Sequence, residues 1–300
     1  MSPVPSVDHH SSAPDDNNRN DLRTRDNTQS RRSSGEKRKR MPPPRSASPS
    51  GLRVVKARKL RSGGSRGRPR GKDWDILTRQ VLDDAWGHFR ARVSTEYPYP
   101  GQEEEETWAG EAWVKACRAK NIDMELEDEL VKTIIQRGSQ VRGKLKEQAV
   151  LLVPQAYGLR ATASDKDIRE NRDKVARLTG GQKPTFIYQN PDTRYRMYEH
   201  EIIQTLINAT WFRKKNDTGV RYAEYFKRGI PLVTIALVLT AVENVLDEWA
   251  TGKYVRKDFS ERAYKETFEK HCRLLEDFRE QTRELRVLKH IRLELLGNAR

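Results

Sequence analysis

Five consecutive residues near the N-terminal end of the sequence have the types and order that suit the minor groove of DNA. They are Arg66, Gly67, Arg68, Pro69 and Arg70. Gly67 has no side chain, so the backbone can approach a narrow groove floor at this point. Arg66 and Arg68 can then extend along the groove into the enhanced negative potential of A·T-rich DNA. The order of these residues therefore predicts a contact with A·T-rich sequence.

This stretch resembles an AT-hook, a short element that binds the minor groove. Pro69 would turn the chain outwards and bring Arg70 and Lys72 to phosphates. The stretch departs from the motif at Ser65, where strong versions carry a first proline, and the departure predicts weaker binding. The alternative is a linker rich in Gly, Arg and Pro that matches the motif by chance.

A second basic cluster has the composition of a nuclear localisation signal. Its residues are Lys37, Arg38, Lys39 and Arg40, and Arg31 and Arg32 precede them. A compact run of exposed cations is what nuclear import receptors bind, whereas the alternative is solvated charge with no receptor. We expect a nuclear protein with an import receptor among its partners.

The positive charge of the chain is concentrated in one region. Residues 31–72 contain 16 Lys and Arg and one acid, Glu36, and this net charge of +15 equals the formal net charge of all 300 residues. A polycationic tail on a neutral body predicts a polyanionic partner. Four apolar residues, Leu52, Val54, Val55 and Leu60, are too few for more than weak adsorption to a membrane, so nucleic acid is the expected partner.

Residues 1–72 also differ from the rest of the sequence in their apolar content. They are dominated by Ser, Pro, Gly, Asn, Asp and Arg and contain no aromatic residue. Such a segment cannot bury enough apolar surface to offset the entropy of ordering its backbone. We therefore expect a long disordered basic tail.

Helical periodicity begins after the tail and predicts an all-α helical bundle. Asp73 is expected to cap the first helix, and the acidic run Glu103–Glu106 to open the second, in a helical extension over residues 73–120. A core domain over residues 121–260 would begin with one helix from about Glu125 to Val153, ended by Pro154. Ser164 would cap a shorter helix, and the segment TFIYQNP would form a strand or a buried extended connection.

The most apolar helix follows Pro231 and is hydrophobic on nearly every side, so we expect it at the centre of the fold. Ser260 would cap a final helix over residues 261–300, roughly 50 Å long at 1.5 Å per residue. This helix could form a coiled coil and a homodimer, or pack back on the body.

The central block resembles a known family. The run IPLVTIALVLTAVENVLDEWATG and the upstream run VRGKLKEQAVLLVPQAYGL are similar to a domain of unknown function, number six-five-three-two, found mainly in basidiomycete fungi. The resemblance covers about residues 126–278. It implies a fungal source and an intact helical domain, and it carries no activity over to any residue.

Acidic residues on the central helix are the best candidates for catalysis. Glu243 and Asp247 stand four residues apart with Glu248 adjacent, and Glu199 and His200 open the preceding helix, which could suggest the carboxylates of a metal-dependent nuclease. The plainer interpretation is a charged edge that pairs with cations such as Arg221 or Lys253. A related alternative concerns the aromatic residues, which could bind a ligand or simply pack in the core: Trp211, Phe212, Tyr222, Tyr225, Phe226 and Trp249.

The sequence lacks the residue patterns of disulfide frameworks, zinc sites and nucleotide-binding loops. Cys117 and Cys272 are the only cysteines, so we expect neither a disulfide framework nor a zinc site, and no Walker loop or dinucleotide fingerprint is present. The apolar stretch Ile230–Leu246 is shorter than the ~20 residues of a membrane span. We expect no metal, no cofactor and no membrane association.

Together these patterns predict a non-enzymatic nuclear protein that associates with DNA through its tail and binds an unidentified protein through its helices. One alternative is a helical interaction or oligomerisation module with no DNA role. A minor alternative is a nuclease-like enzyme derived from a mobile element.

Overall fold

Helices form most of the chain in the computed structural model, which describes residues 51–60, 70–161 and 164–299. The helices in chain order are α1 (Ile76–Thr95), α2 (Gln102–Ala119), α3 (Asp128–Ile135), α4 (Gly138–Ala156), α5 (Asp165–Thr179), α6 (Glu201–Ile207), α7 (Thr218–Arg221), α8 (Leu232–Glu248), α9 (Glu261–Gln281) and α10 (Val287–Gly297). A π-helical turn, Asn208–Phe212, continues α6. The all-α prediction is confirmed.

Short strands supplement the helices. Strand β1 (Arg53–Val55) pairs in parallel with β2 (Ile122–Met124), with Arg53 opposite Ile122. Strand β3 (Tyr188–Asn190) pairs antiparallel with β4 (Tyr195–Met197) and contains the end of the predicted extended segment. Among the described residues, no helix is both long enough and apolar enough to cross a lipid bilayer.

Strand β1 corrects the predicted boundary of the tail at residue 72. Its pairing with β2 joins residues 53–55 to the helical body, and the adjoining chain is also fixed: Leu60 N donates to Asp73 O at 2.7 Å, and Asp75 N donates to Arg58 O at 2.8 Å. The body therefore includes residues 51–60, which lie in the segment expected to be disordered.

Helix α1 begins two residues later than predicted. Asp75 is its N-cap, and the carboxylate accepts a hydrogen bond from Thr78 N at 2.7 Å. The carboxylate of Asp73 instead accepts from Arg70 N at 2.9 Å. Both carboxylates bond to the backbone N–H three residues away, but Asp73 stabilises a 3₁₀ turn over residues 71–73.

The predicted helix Glu125–Val153 is two helices. Trp86 Nε1 donates to Thr133 O at 3.1 Å, and this carbonyl would otherwise accept from residue 137. Arg137 N bonds to Ile134 O at 3.0 Å instead, which tightens the chain and ends α3. Pro154 does not end α4, which continues through it to Ala156.

Helix α8 lies at the centre of the fold, as predicted. Pro231 is its N-cap, and the side chains from Ile235 to Leu239 have no solvent exposure. Helices α1, α4, α6 and α9 all pack against it. Every side of α8 is therefore covered, which explains its nearly continuous apolar sequence.

The C-terminal region forms two helices instead of the single long helix predicted. The chain turns between α9 and α10, where Arg286 adopts a left-handed conformation with φ of 52°. Helix α10 then docks on the segment before α8: Ile230 N donates to Arg292 O at 3.0 Å, and Arg292 Nε donates to Ile230 O at 2.7 Å. Its apolar residues, Leu288, Ile291, Leu295 and Leu296, are buried in the common core.

Candidate nucleic-acid interface

A basic groove of about 870 Å³ lies where residues 70–72 meet α1 and the turn between α3 and α4. Four cations line it, namely Arg70, Lys72, Arg79 and Arg137, and Asp83 is the one acid among its described lining residues. We call this surface the basic groove. Its net positive charge favours a polyanion.

Trp86 on α1 forms one side of the basic groove and positions the cations. The guanidinium of Arg137 lies 4.2 Å from the centroid of the Trp86 ring, within cation–π range. Gly71 packs against the same indole so closely that a Cβ at this position would lie 2.6 Å from Trp86 Cη2. A larger residue between Arg70 and Lys72 would therefore have to displace the indole or the backbone of residues 70–72.

The cations of the basic groove lack carboxylate partners. Within the part of the chain that the structure describes, none of the four forms an ion pair. A cavity of about 260 Å³ beside the α9–α10 turn is also lined by basic residues, but two of these form ion pairs with acids. There Arg279 Nη2 lies 2.6 Å from Glu276 Oε2, and Arg283 pairs with Glu280 at 4.0 Å. The two cavities therefore differ in how their cations are arranged: the second cavity has two arginines paired with acids, whereas the basic groove has none among the described residues.

The segment 61–69, which contains most of the AT-hook-like element, is held at both ends. Residues 58–60 pair with residues 73–75 through the two backbone hydrogen bonds given above and an antiparallel bridge between Lys59 and Trp74. Lys59 Nζ also lies 2.6 Å from Glu129 Oε2, and Trp74 is buried. The chain thus leaves and rejoins the body at one place, beside the basic groove.

The predicted DNA-binding residues fall partly inside the described chain. Arg70 and Lys72 are exposed and line the basic groove. Arg66, Gly67, Arg68 and Pro69 lie outside the described residues, as do Lys37, Arg38, Lys39 and Arg40 of the nuclear localisation signal. Sequence reasoning missed Arg79 and Arg137, because separate elements contribute them and no motif links the two.

The acids of α8 do not form an open site. Glu248 is fully buried, and its Oε2 lies 2.6 Å from Lys146 Nζ while Oε1 accepts from Lys257 N at 2.8 Å. Lys146 also donates to Asn244 Oδ1. Burial lowers the pKa of Lys146, although Glu248 opposes that shift. Asp247 accepts a hydrogen bond from the Tyr264 hydroxyl at 2.8 Å.

Glu243 faces α9 and is bound by two of its residues. His271 Nε2 lies 2.7 Å from one carboxylate oxygen, and Lys270 Nζ lies 3.5 Å from the other. Although burial opposes ionisation, the hydrogen bond and charge of His271 together with the charge of Lys270 lower the pKa of Glu243. Each of the three acids of α8 therefore links this helix to a neighbour: Glu243 and Asp247 to α9, and Glu248 to α4.

The cations proposed as partners for these acids were wrong. Arg221 pairs with Asp84, and Lys253 forms no ion pair within the described chain. Glu199 pairs with Arg196 at 2.6 Å. His200 caps α6, where its Nδ1 accepts from Ile202 N at 3.2 Å, and it stacks on Tyr157.

Two further candidate chemistries lack support among the described residues. No group of three His, Cys, Asp or Glu side chains is placed to hold a metal ion there. Burial raises the pKa of both cysteine thiols to about 11, so Cys117 and Cys272 stay protonated at neutral pH. The aromatic set around Trp211 packs in the core, where Phe226 and Trp249 are also buried.

The family assignment agrees with the predicted resemblance. The model of the family described as Domain of unknown function (DUF6532) matches residues 84–278. The chain belongs to the DUF6532 family. No curated protein and no solved structure matches it.

The basic groove straddles the N-terminal boundary of the DUF6532 region. The match begins within α1, well before the resemblance expected from residue 126, and it includes α2. Trp86 and Arg137 lie inside the matched region, whereas Arg70, Lys72 and Arg79 precede it. The groove is therefore built by the family domain together with the segment attached to it.

Proposed function

We propose that the protein is a non-enzymatic, DNA-associated protein that binds duplex DNA through the segment 61–72 and the basic groove. The observation that carries this proposal is a groove lined by four cations that form no ion pair with any described residue, at the place where the AT-hook-like segment joins the body. The groove would hold backbone phosphates while Arg66 and Arg68 read the minor groove.

The two parts would contribute different terms to binding. Phosphate contacts from Arg70, Lys72, Arg79 and Arg137 supply affinity that does not depend on sequence. Arg66 and Arg68 supply the preference for A·T-rich DNA, because the minor groove is narrow and most negative there. Because the segment is held at both ends, a minor-groove contact would bring the basic groove to the adjacent backbone.

Nuclear import through Lys37–Arg40 and an interaction role for the helical body complete the proposal. The basic cluster Lys37–Arg40 supports import, since nuclear import receptors bind such clusters. The helical body supplies the surface for a protein partner. The competing proposal is an interaction module whose basic residues serve import alone.

The test is fluorescence anisotropy of the full chain on labelled A·T-rich and G·C-rich duplexes. We expect tighter binding to the A·T-rich duplex and loss of that preference in Arg68→Ala. Arg79→Met and Arg137→Met should weaken binding to both duplexes by about three- to tenfold each, because each removes a phosphate contact.

The matched control is Arg169→Met, which removes an exposed arginine of α5 that does not line the groove. Its affinity should stay within twofold of the unaltered chain. Equal weakening in the control and the groove variants would refute a role for the groove. Absence of duplex binding by the full chain at low salt would favour the interaction module.

A further inference from the structure

A second cavity, of about 450 Å³, lies between α1, α4 and the π-helical turn. Arg90 lines it from α1 and Thr210 from the π-helical turn, and Gln140 is shared with the basic groove. The volume falls within the range of small-molecule sites. We call it the Arg90 cavity.

Arg90 is a half-buried cation without a partner. Its Nε is enclosed and makes no hydrogen bond, and its side chain forms no ion pair with any described residue. Burial lowers the pKa of the guanidinium, and the positive charges of Arg137 and Arg221 add to this shift, while Tyr222 and Asp217 oppose it. Keeping an unpaired guanidinium in this position costs folding free energy, which a bound anion would recover.

Thr210, which also lines the cavity, carries a second unused donor. The residue is 3 % exposed, and its hydroxyl has no hydrogen-bond partner. Thr205, one turn earlier, donates to Glu201 O at 2.9 Å, and Thr95 donates to Ala91 O at 2.8 Å. These are the usual bonds of a helical threonine to the carbonyl four residues before it.

Thr210 lies in the π-helical turn, whereas Thr205 and Thr95 lie in α-helices. A π-helical turn changes the register of backbone hydrogen bonds, and such turns occur often at functional sites. Here the carbonyl of Thr210 accepts from Lys144 Nζ. The hydroxyl and the carbonyl of Thr210 are therefore both outside the ordinary helical pattern.

A chain of hydrogen bonds joins the two elements that carry these donors. Trp211 Nε1 donates to Ser94 Oγ at 2.9 Å, and Ser94 Oγ donates to Arg90 O at 2.8 Å. The π-helical turn is thereby tied to the turn of α1 that carries Arg90. This connection fixes the backbone of the residues that line the cavity from the two elements.

The charges around the cavity define the ligand. Lys144 Nζ lies 2.8 Å from Asp217 Oδ1, so these two side chains neutralise each other. Glu147 also lines the cavity but is exposed to solvent. The formal charges of the lining residues sum to zero, but Arg90 is a lining cation that forms no ion pair with a described residue. Its single positive charge matches a ligand that carries one negative charge.

We propose that the Arg90 cavity binds a singly charged phosphate ester. Arg90 offers parallel N–H donors to two oxygens, and the Thr210 hydroxyl and Gln140 amide approach from other elements. A tetrahedral phosphate can accept from donors on several sides at once, whereas a planar carboxylate offers fewer directions. The phosphate can belong to a small phosphodiester or to a nucleic-acid backbone.

The first experiment uses NMR of the full chain titrated with dimethyl phosphate, the smallest phosphodiester anion. We expect saturable shifts of the Arg90 Nε–H and Trp211 indole N–H resonances. Trimethyl phosphate, which has a similar shape and no charge, should produce none. Acetate should bind at least tenfold more weakly. Equal binding of acetate, or no shift at either resonance with any phosphate probe, would overturn the proposal.

Two variants separate binding from folding. Arg90→Met should abolish the shift of the Trp211 resonance, and Thr210→Val should weaken binding about tenfold through loss of one charge-assisted hydrogen bond. Neither variant should lower the melting temperature of the free protein, because each removes a donor with no partner. Arg169→Met is the matched control with unchanged affinity.

A separate arm identifies the source of the phosphate. Titration with a duplex that shifts Arg90 and Trp211, and that competes with dimethyl phosphate, assigns the cavity to a DNA backbone. Binding of dimethyl phosphate without such competition assigns it to a small molecule. Retention of dimethyl phosphate binding in Arg90→Met refutes the proposal in either case, and none of these outcomes depends on the A·T preference of the segment 61–72.

Discussion

At the level of single residues, Trp86 has the most connected role in the basic groove. Its indole N–H removes the Thr133 carbonyl from the helical pattern, its ring stacks under Arg137, and its edge packs on Gly71. One side chain therefore ends α3, orients a cation and sets the approach of residues 70–72.

Replacement of Trp86 by Phe should affect both stability and DNA binding. The ring would still fill most of the space, but the Thr133 carbonyl would lose its donor and Arg137 its larger aromatic surface. We expect a loss of about 1–2 kcal/mol in the free energy of unfolding, measured by urea denaturation. An unchanged midpoint would contradict the role of the indole N–H.

His88 predicts a pH dependence of stability. Burial first, and the charge of Lys115 second, lower the pKa of His88 to about 4. Between about pH 6.5 and pH 4 the unfolded chain therefore binds a proton that the folded chain does not, so stability falls as pH falls through this window. His200, whose pKa burial also lowers, adds to the same trend.

The His88→Gln variant should reduce this slope. Urea denaturation at pH 7 and pH 4.5 should show that the unaltered chain loses about 1–2 kcal/mol more than the variant between the two values, once solvent screening is allowed for. Identical losses would show that His88 titrates normally in the folded protein.

The buried pair Lys146–Glu248 predicts strong non-additivity. Lys146→Met leaves the buried carboxylate of Glu248 without its cation and should cost about 3–5 kcal/mol. The double variant Lys146→Met/Glu248→Leu removes both charges and should be more stable than the single variant. A double-mutant cycle from denaturation curves measures the coupling free energy between Lys146 and Glu248. Additive effects of the two substitutions would contradict the role of this pair as a structural link.

At the level of elements, the sequence predicted most helices because their apolar residues recur at helical spacing. The start of α2 and the central position of α8 follow from local composition and hydrophobicity. The sequence did not predict the breaks between α3 and α4 and between α9 and α10. Trp86 ends α3 from α1, and the turn before α10 is accompanied by docking on Ile230, so both depend on contacts between distant parts of the chain.

The docking of α10 can be tested at Gly229. This residue has φ of +93°, and an added Cβ would lie 3.0 Å from Arg292 O, so Gly229→Ala should strain the backbone and displace α10. We expect a loss of about 2–3 kcal/mol in the free energy of unfolding. The matched control is Gly110→Ala in α2, where the added Cβ meets no atom within 4 Å and should stabilise the protein by about 0.5–1 kcal/mol.

At the level of the whole molecule, the candidate site was only half predictable. The order of residues 66–72 indicated a DNA contact, and Arg70 and Lys72 do line a cationic groove. Arg79 and Arg137 join them through the three-dimensional fold alone, since no local pattern relates α1 to the α3–α4 turn. The unpaired donors Arg90 and Thr210 were likewise invisible, because a missing partner is a property of packing.

The salt dependence of DNA binding tests the complete interface. If about six phosphates are contacted, the binding constant should fall by about 10³ between 50 and 200 mM salt. The double variant Arg79→Met/Arg137→Met should reduce the slope of log K against log salt by about 2, measured by anisotropy on one duplex. An unchanged slope would place the phosphate contacts outside the basic groove.

The pairing of residues 58–60 with residues 73–75 fixes both ends of the segment 61–69, the proposed DNA-reading segment, on the helical body. Because Leu60 and Asp73 bond to each other and residues 58–60 pair with the body, we expect that this segment can be lengthened, shortened or exchanged without disturbing the helical core. If the segment reads DNA as proposed, its sequence preference can change while the architecture stays the same, and the paired ends of the segment offer a site for inserting a designed peptide.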